Sequence, residues 1–167
     1  AFDQIGFGTR IHEARAFYER YPKWSRLGNM LVDTRAAVNA LAQLEEIDAS
    51  RIYLLGYGLG GKVGLLTVAF EDGVRGVVSV CGADALRLNT AAKGGEGLRH
   101  YSHLHGLLPR LGDFIGNEER VPFDFDEVMA LAAPKPMLVV APALDRYVQA
   151  ADVREEVEAA RRRRSHL

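Results

Sequence analysis

The sequence contains a single cysteine, Cys81, in 167 residues. One cysteine excludes an internal disulfide and a cysteine-rich zinc site, and it favours a reducing compartment such as the cytoplasm. No apolar run approaches the roughly 18–20 residues of a membrane span, and no signal-peptide pattern opens the chain. Lys and Arg (21) almost balance Asp and Glu (22), so neither nucleic acid nor a membrane is expected as a partner.

The composition is that of a single globular domain, with 48% apolar and 26% charged residues. Short apolar runs between turn residues predict buried strands, and apolar residues at helical spacing predict helices. The predicted strands are 51–55, 74–81 and 136–141; the predicted helices are 30–46, a segment ending near Phe70, and 152–163, all after a loop at 6–29. Strands alternating with helices indicate an α/β fold with a parallel, doubly wound sheet, its strands covered on both faces.

The segment between the second and third predicted strands is too long for a simple crossover. It contains two predicted helices, around 98–110 and 124–132. Asp124 followed by Glu127 predicts a capping box at the start of the second helix. We interpret residues 83–122 as a helical lid or cap inserted above the sheet.

A glycine-rich turn, Gly-Tyr-Gly-Leu-Gly-Gly, joins the strand at 51–55 to the next helix. Gly56, Gly58 and Gly61 fit the G-x-G-x-x-G dinucleotide pattern, but the next strand has no carboxylate at its tip until Asp84. A phosphate loop of the Walker type is excluded, because Val63 stands where a Ser or Thr should follow the Lys.

The same turn also fits the nucleophile elbow, G-x-S-x-G, with Gly58 in the serine position. The turn is tight, and a Cβ at position 56 or 60 is expected to keep the strand and the helix apart. Glycine is therefore expected to be required at both positions. The central residue of an elbow has a positive φ, which costs a non-glycine residue on the order of 1–3 kcal/mol. Glycine at position 58 relieves that strain and removes the hydroxyl nucleophile.

Together with the elbow, two further segments make the chain resemble the α/β-hydrolase superfamily, particularly its dienelactone-hydrolase and acetyl-xylan-esterase type of esterases. The segments that carry the resemblance are 3–8, 48–61 and 136–146. The resemblance implies a small-molecule carboxylic ester as substrate or ligand, without a cofactor or a metal. It also implies Asp145 as the catalytic acid and the Leu59 backbone N–H as one oxyanion donor.

The chain departs from the family pattern in three respects. Gly58 replaces the nucleophile, and the family's first three strands and its last strand with the catalytic His have no counterpart. We therefore expect an esterase scaffold that is inactive in this form, either a fragment of a longer chain or a reduced homologue. The alternative is a non-catalytic protein that binds a ligand or partner through the pocket that forms the active site in an intact esterase. In the family's sheet the third strand lies beside the strand that corresponds to 51–55. Without a counterpart of that strand, the edge at 51–55 is expected to be exposed, which predicts a homodimer paired through this edge.

Other polar residues have simpler interpretations. His100 and His103 share a predicted helix face and His105 lies off it, so a cap surface is favoured over a metal site. Cys81 is expected in the core, and Asp84 with Asp145 is a possible carboxylate pair at the sheet edge. His166 follows the acid in chain order but has no strand before it. The arginines at 161–164 suit a solvated helix end.

Overall fold

A computed structural model describes residues 1–93 and 97–165. Three strands are present, β1 (Tyr53–Tyr57), β2 (Gly76–Val80) and β3 (Met137–Val140). The α-helices are α1 (Phe17–Arg20), α2 (Arg26–Leu41), α3 (Leu59–Phe70), α4 (Phe125–Leu131) and α5 (Ala150–Arg164). Shorter turns of 3-10 helix lie at Gly8–Ala14, Ala49–Arg51, Ala91–Lys93, Pro109–Phe114 and Glu118–Arg120, and a π-helical turn at His100–Leu104. No helix within the described ranges is both long and apolar enough to cross a membrane.

The strands form one parallel sheet in the order β1-β2-β3, which confirms the predicted α/β class with parallel strands. Leu55 lies beside Val78, and Val78 lies beside Leu138. Parallel strands place all their carboxyl ends at one edge of the sheet. The elbow after β1 and the loops after β2 and β3 therefore meet at that edge.

Helix α3 is the centre of the hydrophobic core. Its Val63, Leu65 and Val68 are almost completely buried, because the helix packs on β1 and β2 on one side and contacts α2 and α4 on the other. A helix that is apolar on every side is stable only when it is enclosed in this way. The elbow at its N-terminus is thus anchored on the most buried element of the domain.

The second face of the sheet is uncovered in the described part of the chain, so the prediction of strands buried on both faces is wrong there. The side chain of Leu55 is 80% exposed, and those of Tyr57 and Leu138 are 74% and 57% exposed. Residues that alternate with them, such as Gly56 and Val77, face the helices and are buried. Among the described residues, helices cover one face of this parallel sheet.

Helix α2 begins earlier than predicted, at Arg26 rather than near residue 30. Ser25 has an extended backbone, and its Oγ accepts a hydrogen bond from the Gly28 N–H at 2.9 Å. This N-cap starts the helix despite the glycine inside its first turn. The predicted loop at 6–29 also contains α1 and a 3-10 segment.

Among its described residues, the segment 83–122 contains short 3-10 turns and one short helical stretch at 98–104, most of which is the π-helical turn. The predicted helix at 98–110 is therefore present only in its first part and is mostly π-helical. The helix at 124–132 is confirmed as α4, including the capping box of Asp124 and Glu127. Asp124 also accepts the N–H groups of Leu86 and Arg87, both at 2.8 Å, and so ties the loop after β2 to α4.

Candidate functional site

The turn between β1 and α3 has the backbone geometry of an elbow. Gly58 has φ 53° and ψ −119°, a combination that L side chains rarely adopt. Its N–H donates to the Val80 carbonyl at 2.8 Å, and its carbonyl accepts from the Lys62 N–H at 3.0 Å. A Cβ at position 58 would meet no atom within 4 Å. The position therefore has room for a side chain, although the backbone favours glycine.

The neighbouring glycines differ from the sequence expectation in one respect. A Cβ on Gly56 would overlap the backbone of Gly60 and Gly61, so the predicted reason for glycine at position 56 is confirmed. A Cβ on Gly60 would meet nothing within 4 Å, and the predicted steric requirement there is wrong. Gly61 takes that role instead, since its Cβ would lie 3.0 Å from the Gly56 carbonyl oxygen and 2.8 Å from Ser79 Oγ.

A cavity of about 220 Å³ opens at the carboxyl edge of the sheet, beside the elbow. It is lined by Phe7, Gly58, Leu59, Lys62, Cys81, Asp84, Asn89, Gly97, His100, His105, Asp145, Tyr147 and Val148. The structure thus brings together the three residues singled out from the sequence, Gly58, Leu59 and Asp145. Leu59 is the first residue of α3, so its N–H has no partner within the helix.

Asp145 lies in the loop after β3, where its Oδ1 accepts the Tyr147 N–H at 2.8 Å. The Cys81 thiol is close to this carboxylate and to the Tyr57 hydroxyl. Burial and the negative charge of Asp145 raise the pKa of Cys81, so the thiol stays protonated near neutral pH. Cys81 has a positive φ of 54°. It is half-buried and lines the cavity, rather than lying in the core as expected.

Sequence reasoning missed a buried polar cluster on the cavity floor. Lys62 Nζ lies 2.5 Å from Asp84 Oδ2, and the Tyr101 hydroxyl donates to the same carboxylate. The Lys62 ammonium also sits 4.0 Å from the centroid of the Tyr101 ring. All three side chains are less than 10% exposed. A lysine in the first turn of an otherwise apolar helix was the available signal, because a buried lysine needs a charged partner.

This cluster changes the interpretation of Asp84. Asp84 and Asp145 both line the cavity, at the ends of adjacent strands as expected. Asp84 is held by Lys62 and Tyr101, so its charge is compensated by the Lys62 ammonium. Burial, and then the negative charge of the Asp84 carboxylate, raise the pKa of Tyr101 well above its usual value. The Tyr101 hydroxyl is therefore a hydrogen-bond donor to Asp84, not a base.

The histidines are arranged differently from the predicted helix face. His100 and His105 line the cavity, with ring centroids 4.7 Å apart, and His100 also packs on Tyr147. The π-helical turn explains the pairing, since the His105 N–H donates to the His100 carbonyl five residues earlier. His103 instead contacts the Ser102 hydroxyl.

The remaining candidates lie outside this cavity. Groups of three or more potential metal ligands are not found among the described residues. His166 lies outside the described residues. In the arginine run, Arg163 pairs with Asp126 at 2.5 Å and Arg161 with Glu158 at 2.6 Å. The arginine run is thus the C-terminal end of α5, and two of its arginines form ion pairs.

The parallel sheet and its strand–elbow–helix unit are consistent with part of an α/β-hydrolase fold. No protein-family model matches the chain, and comparison with curated proteins gave no match. Solved structures do match. A promiscuous CE15 esterase from the marine bacterial metagenome superposes with a TM-score of 0.77 and 18% identity, over 97% of this chain and 43% of that one.

Two further structures are similar. The glucuronoyl esterase catalytic domain of Hypocrea jecorina gives a TM-score of 0.78 at 17% identity, over 99% of this chain and 50% of that one. A CE15 glucuronoyl esterase from Teredinibacter turnerae gives 0.73 at 20% identity, over 85% and 35%. The chain thus spans half or less of the length of these neighbours. At such identities the likeness establishes the fold that this chain shares with esterases.

Proposed function

We propose that this chain is the central part of an esterase-type hydrolase scaffold that binds a carboxylic ester, and that Gly58 prevents covalent catalysis in this form. The observation that supports the proposal is the backbone of Gly58. Its φ of 53° at the strand–helix turn, with open space at the Cβ position and Asp145 in the same cavity, is the arrangement that an elbow nucleophile needs.

The other cavity residues have distinct roles in this proposal. The Leu59 N–H would donate to the carbonyl oxygen of the ester, at the positive end of the α3 dipole. Asp145 would orient a base. The neighbours are glucuronoyl esterases by name, and we infer an ester of a sugar acid as the ligand class. Lys62 and Asp84 offer such a polar ligand a donor and an acceptor on the cavity floor.

A second candidate function is ligand binding without catalysis. It is favoured by the chemistry of the cavity wall: the described lining residues include no serine or threonine, and the one thiol has a raised pKa. Under this alternative the sheet-edge cavity still binds the ester, but restoring a hydroxyl at position 58 produces no turnover.

Gly58→Ser tests the first candidate. We expect a burst of p-nitrophenol from p-nitrophenyl acetate, with turnover at least about tenfold above the unmodified chain, because an oriented hydroxyl enables acyl transfer. Asp145→Asn in the same background is expected to reduce that turnover at least about tenfold.

The matched control is Gly58→Ala, which introduces the same backbone strain without a hydroxyl. Equal rates in Gly58→Ser and Gly58→Ala would contradict the esterase proposal. If calorimetry then showed binding of methyl glucuronate to the unmodified chain, the non-catalytic function would be supported instead.

A further inference from the structure

The main chain of Tyr147 is hydrogen-bonded to two side chains of the cavity wall. Its N–H donates to Asp145 Oδ1 at 2.8 Å, and its carbonyl accepts from the Asn89 side-chain amide at 3.0 Å. All three residues line the cavity beside the elbow. Asn89 belongs to the segment after β2 and Asp145 to the loop after β3. The two bonds therefore join these two loops at the carboxyl edge of the sheet.

Asn89 is the more firmly held of the two side chains. It is 8% exposed, and its own N–H donates to the Ala85 carbonyl at 2.8 Å. A buried amide is stable only when it is hydrogen-bonded, so the bond to Tyr147 also keeps the Asn89 side chain in place. Asp145 is half-buried, and residues 141–149 around it, which we call the acid loop, form neither helix nor strand. The position of the acid loop therefore depends on individual contacts such as this bond.

We propose that Asn89 is a positioning residue for Asp145, acting through the main chain of Tyr147. The inference rests on the proposed function, in which Asp145 orients a base. A carboxylate in that role must be held within about 0.5 Å of its productive position. Without the Asn89 amide, the Tyr147 carbonyl would bind water instead, and the acid loop would gain conformational freedom. The Asp145 carboxylate would then spend less time in the position that the structure shows.

The single cysteine reports on the Asp145 carboxylate without any substrate. Burial, and then the negative charge of Asp145, raise the pKa of Cys81. Asp145→Asn should lower this pKa, because it removes the charge. Asn89→Leu should lower it in the same direction and by at least half as much, because the carboxylate is no longer held beside the thiol. The rate of alkylation by iodoacetamide as a function of pH measures the thiolate fraction of this one group.

Gln149→Leu is the matched control for Asn89→Leu. The Gln149 side-chain amide also connects the two segments, but it donates to the Lys93 carbonyl, at 3.5 Å. In this variant the pKa of Cys81 should equal that of the unmodified chain. Asn89→Ala, whose smaller side chain cannot clash with its neighbours, should behave like Asn89→Leu. The proposal is overturned if the pKa of Cys81 in the two Asn89 variants stays at the value of the unmodified chain or rises.

Turnover in the Gly58→Ser background separates this proposal from the proposed function. Adding Asn89→Leu should lower kcat for p-nitrophenyl acetate at least about fivefold with little change in KM, because the orientation of the base is affected and not the binding of the ester. An unchanged kcat would overturn the positioning role. If Gly58→Ser has no turnover while the Asn89 variants still lower the pKa of Cys81, the proposed function fails and the control of Asp145 by Asn89 is supported.

Discussion

The three glycines of the elbow differ in whether the structure could accept a side chain at their positions. Gly56 has no room, because a Cβ there would overlap the Gly60 backbone. Gly58 has room but a φ of 53°, so a side chain would be strained rather than blocked. Gly60 has both room and an ordinary helical position in α3. Glycine at position 60 is therefore not required by the fold.

Alanine at each position should separate these three cases. Gly56→Ala is expected to lose at least about 3 kcal/mol of unfolding free energy, because backbone atoms must move. Gly58→Ala should lose about 1–3 kcal/mol through the positive φ. Gly60→Ala should be neutral or gain about 0.5–1 kcal/mol, since alanine is the better helix former. Urea unfolding monitored by circular dichroism measures all three, and a large loss for Gly60→Ala would contradict the elbow geometry.

Helices α4 and α5 meet over a group of buried carboxylates. Glu156 of α5 accepts the Asp126 N–H at 2.8 Å, and Asp124 lies close enough to repel it. Burial first, and then the charge of Asp124, raise the pKa of Glu156 to about 7. Burial also raises the pKa of Asp124. Arg87 and Arg163 contact Asp126 and partly offset the negative charge.

The raised pKa of Glu156 predicts that this helix pair loses stability as pH increases. In the unfolded chain the carboxyl titrates near 4.5, so between about pH 4.5 and 7 the folded state holds a proton that the unfolded state releases. The contribution is complete below pH 4.5 and is lost as pH rises through 7. Glu156→Gln keeps an acceptor for the Asp126 N–H and removes the charge. We expect the variant to gain stability relative to the unmodified chain from pH 5 to pH 8.

Urea unfolding at several pH values measures this difference. Glu155→Gln is the matched control, because Glu155 is the preceding residue on α5 and is exposed. Its stability relative to the unmodified chain should stay constant over the same pH range. A constant difference for Glu156→Gln as well would show that Glu156 does not titrate in this window.

The sequence predicted the elements whose signals are local, and it failed where burial depends on distant parts of the chain. The strands, α5 and the Asp124–Glu127 capping box each follow from a few adjacent residues. Apolar strand residues such as Leu55 have the same sequence signature whether a face is covered or bare, so the uncovered face could not be predicted. The π-helical turn that pairs His100 with His105 also lacks a sequence signal, and it changed which histidines reach the cavity.

Across the whole molecule, the Lys62–Asp84–Tyr101 cluster connects three separate parts of the chain at the cavity floor. Lys62 belongs to the elbow helix, Asp84 to the loop after β2, and Tyr101 to the π-helical turn. The charges are almost completely enclosed, so each depends on the other for compensation. The cluster therefore couples the position of the irregular segment to the sheet, and with it the shape of the cavity.

Lys62→Met should reveal this coupling. Removing the cation leaves the Asp84 carboxylate buried without its charged partner, which is expected to cost about 3–5 kcal/mol of unfolding free energy. Lys62→Met combined with Asp84→Asn should lose less than the sum of the two single variants, because the double variant leaves no uncompensated charge. Guanidinium chloride unfolding of the four proteins closes the double-mutant cycle. Arg161→Met is the control: its ion pair with Glu158 at 2.6 Å leaves the two side chains 71% and 49% exposed, so the variant should lose no more than about 1 kcal/mol. Additive losses in the cycle would mean that Lys62 and Asp84 stabilise the fold independently, and that the cavity floor is not a coupled unit.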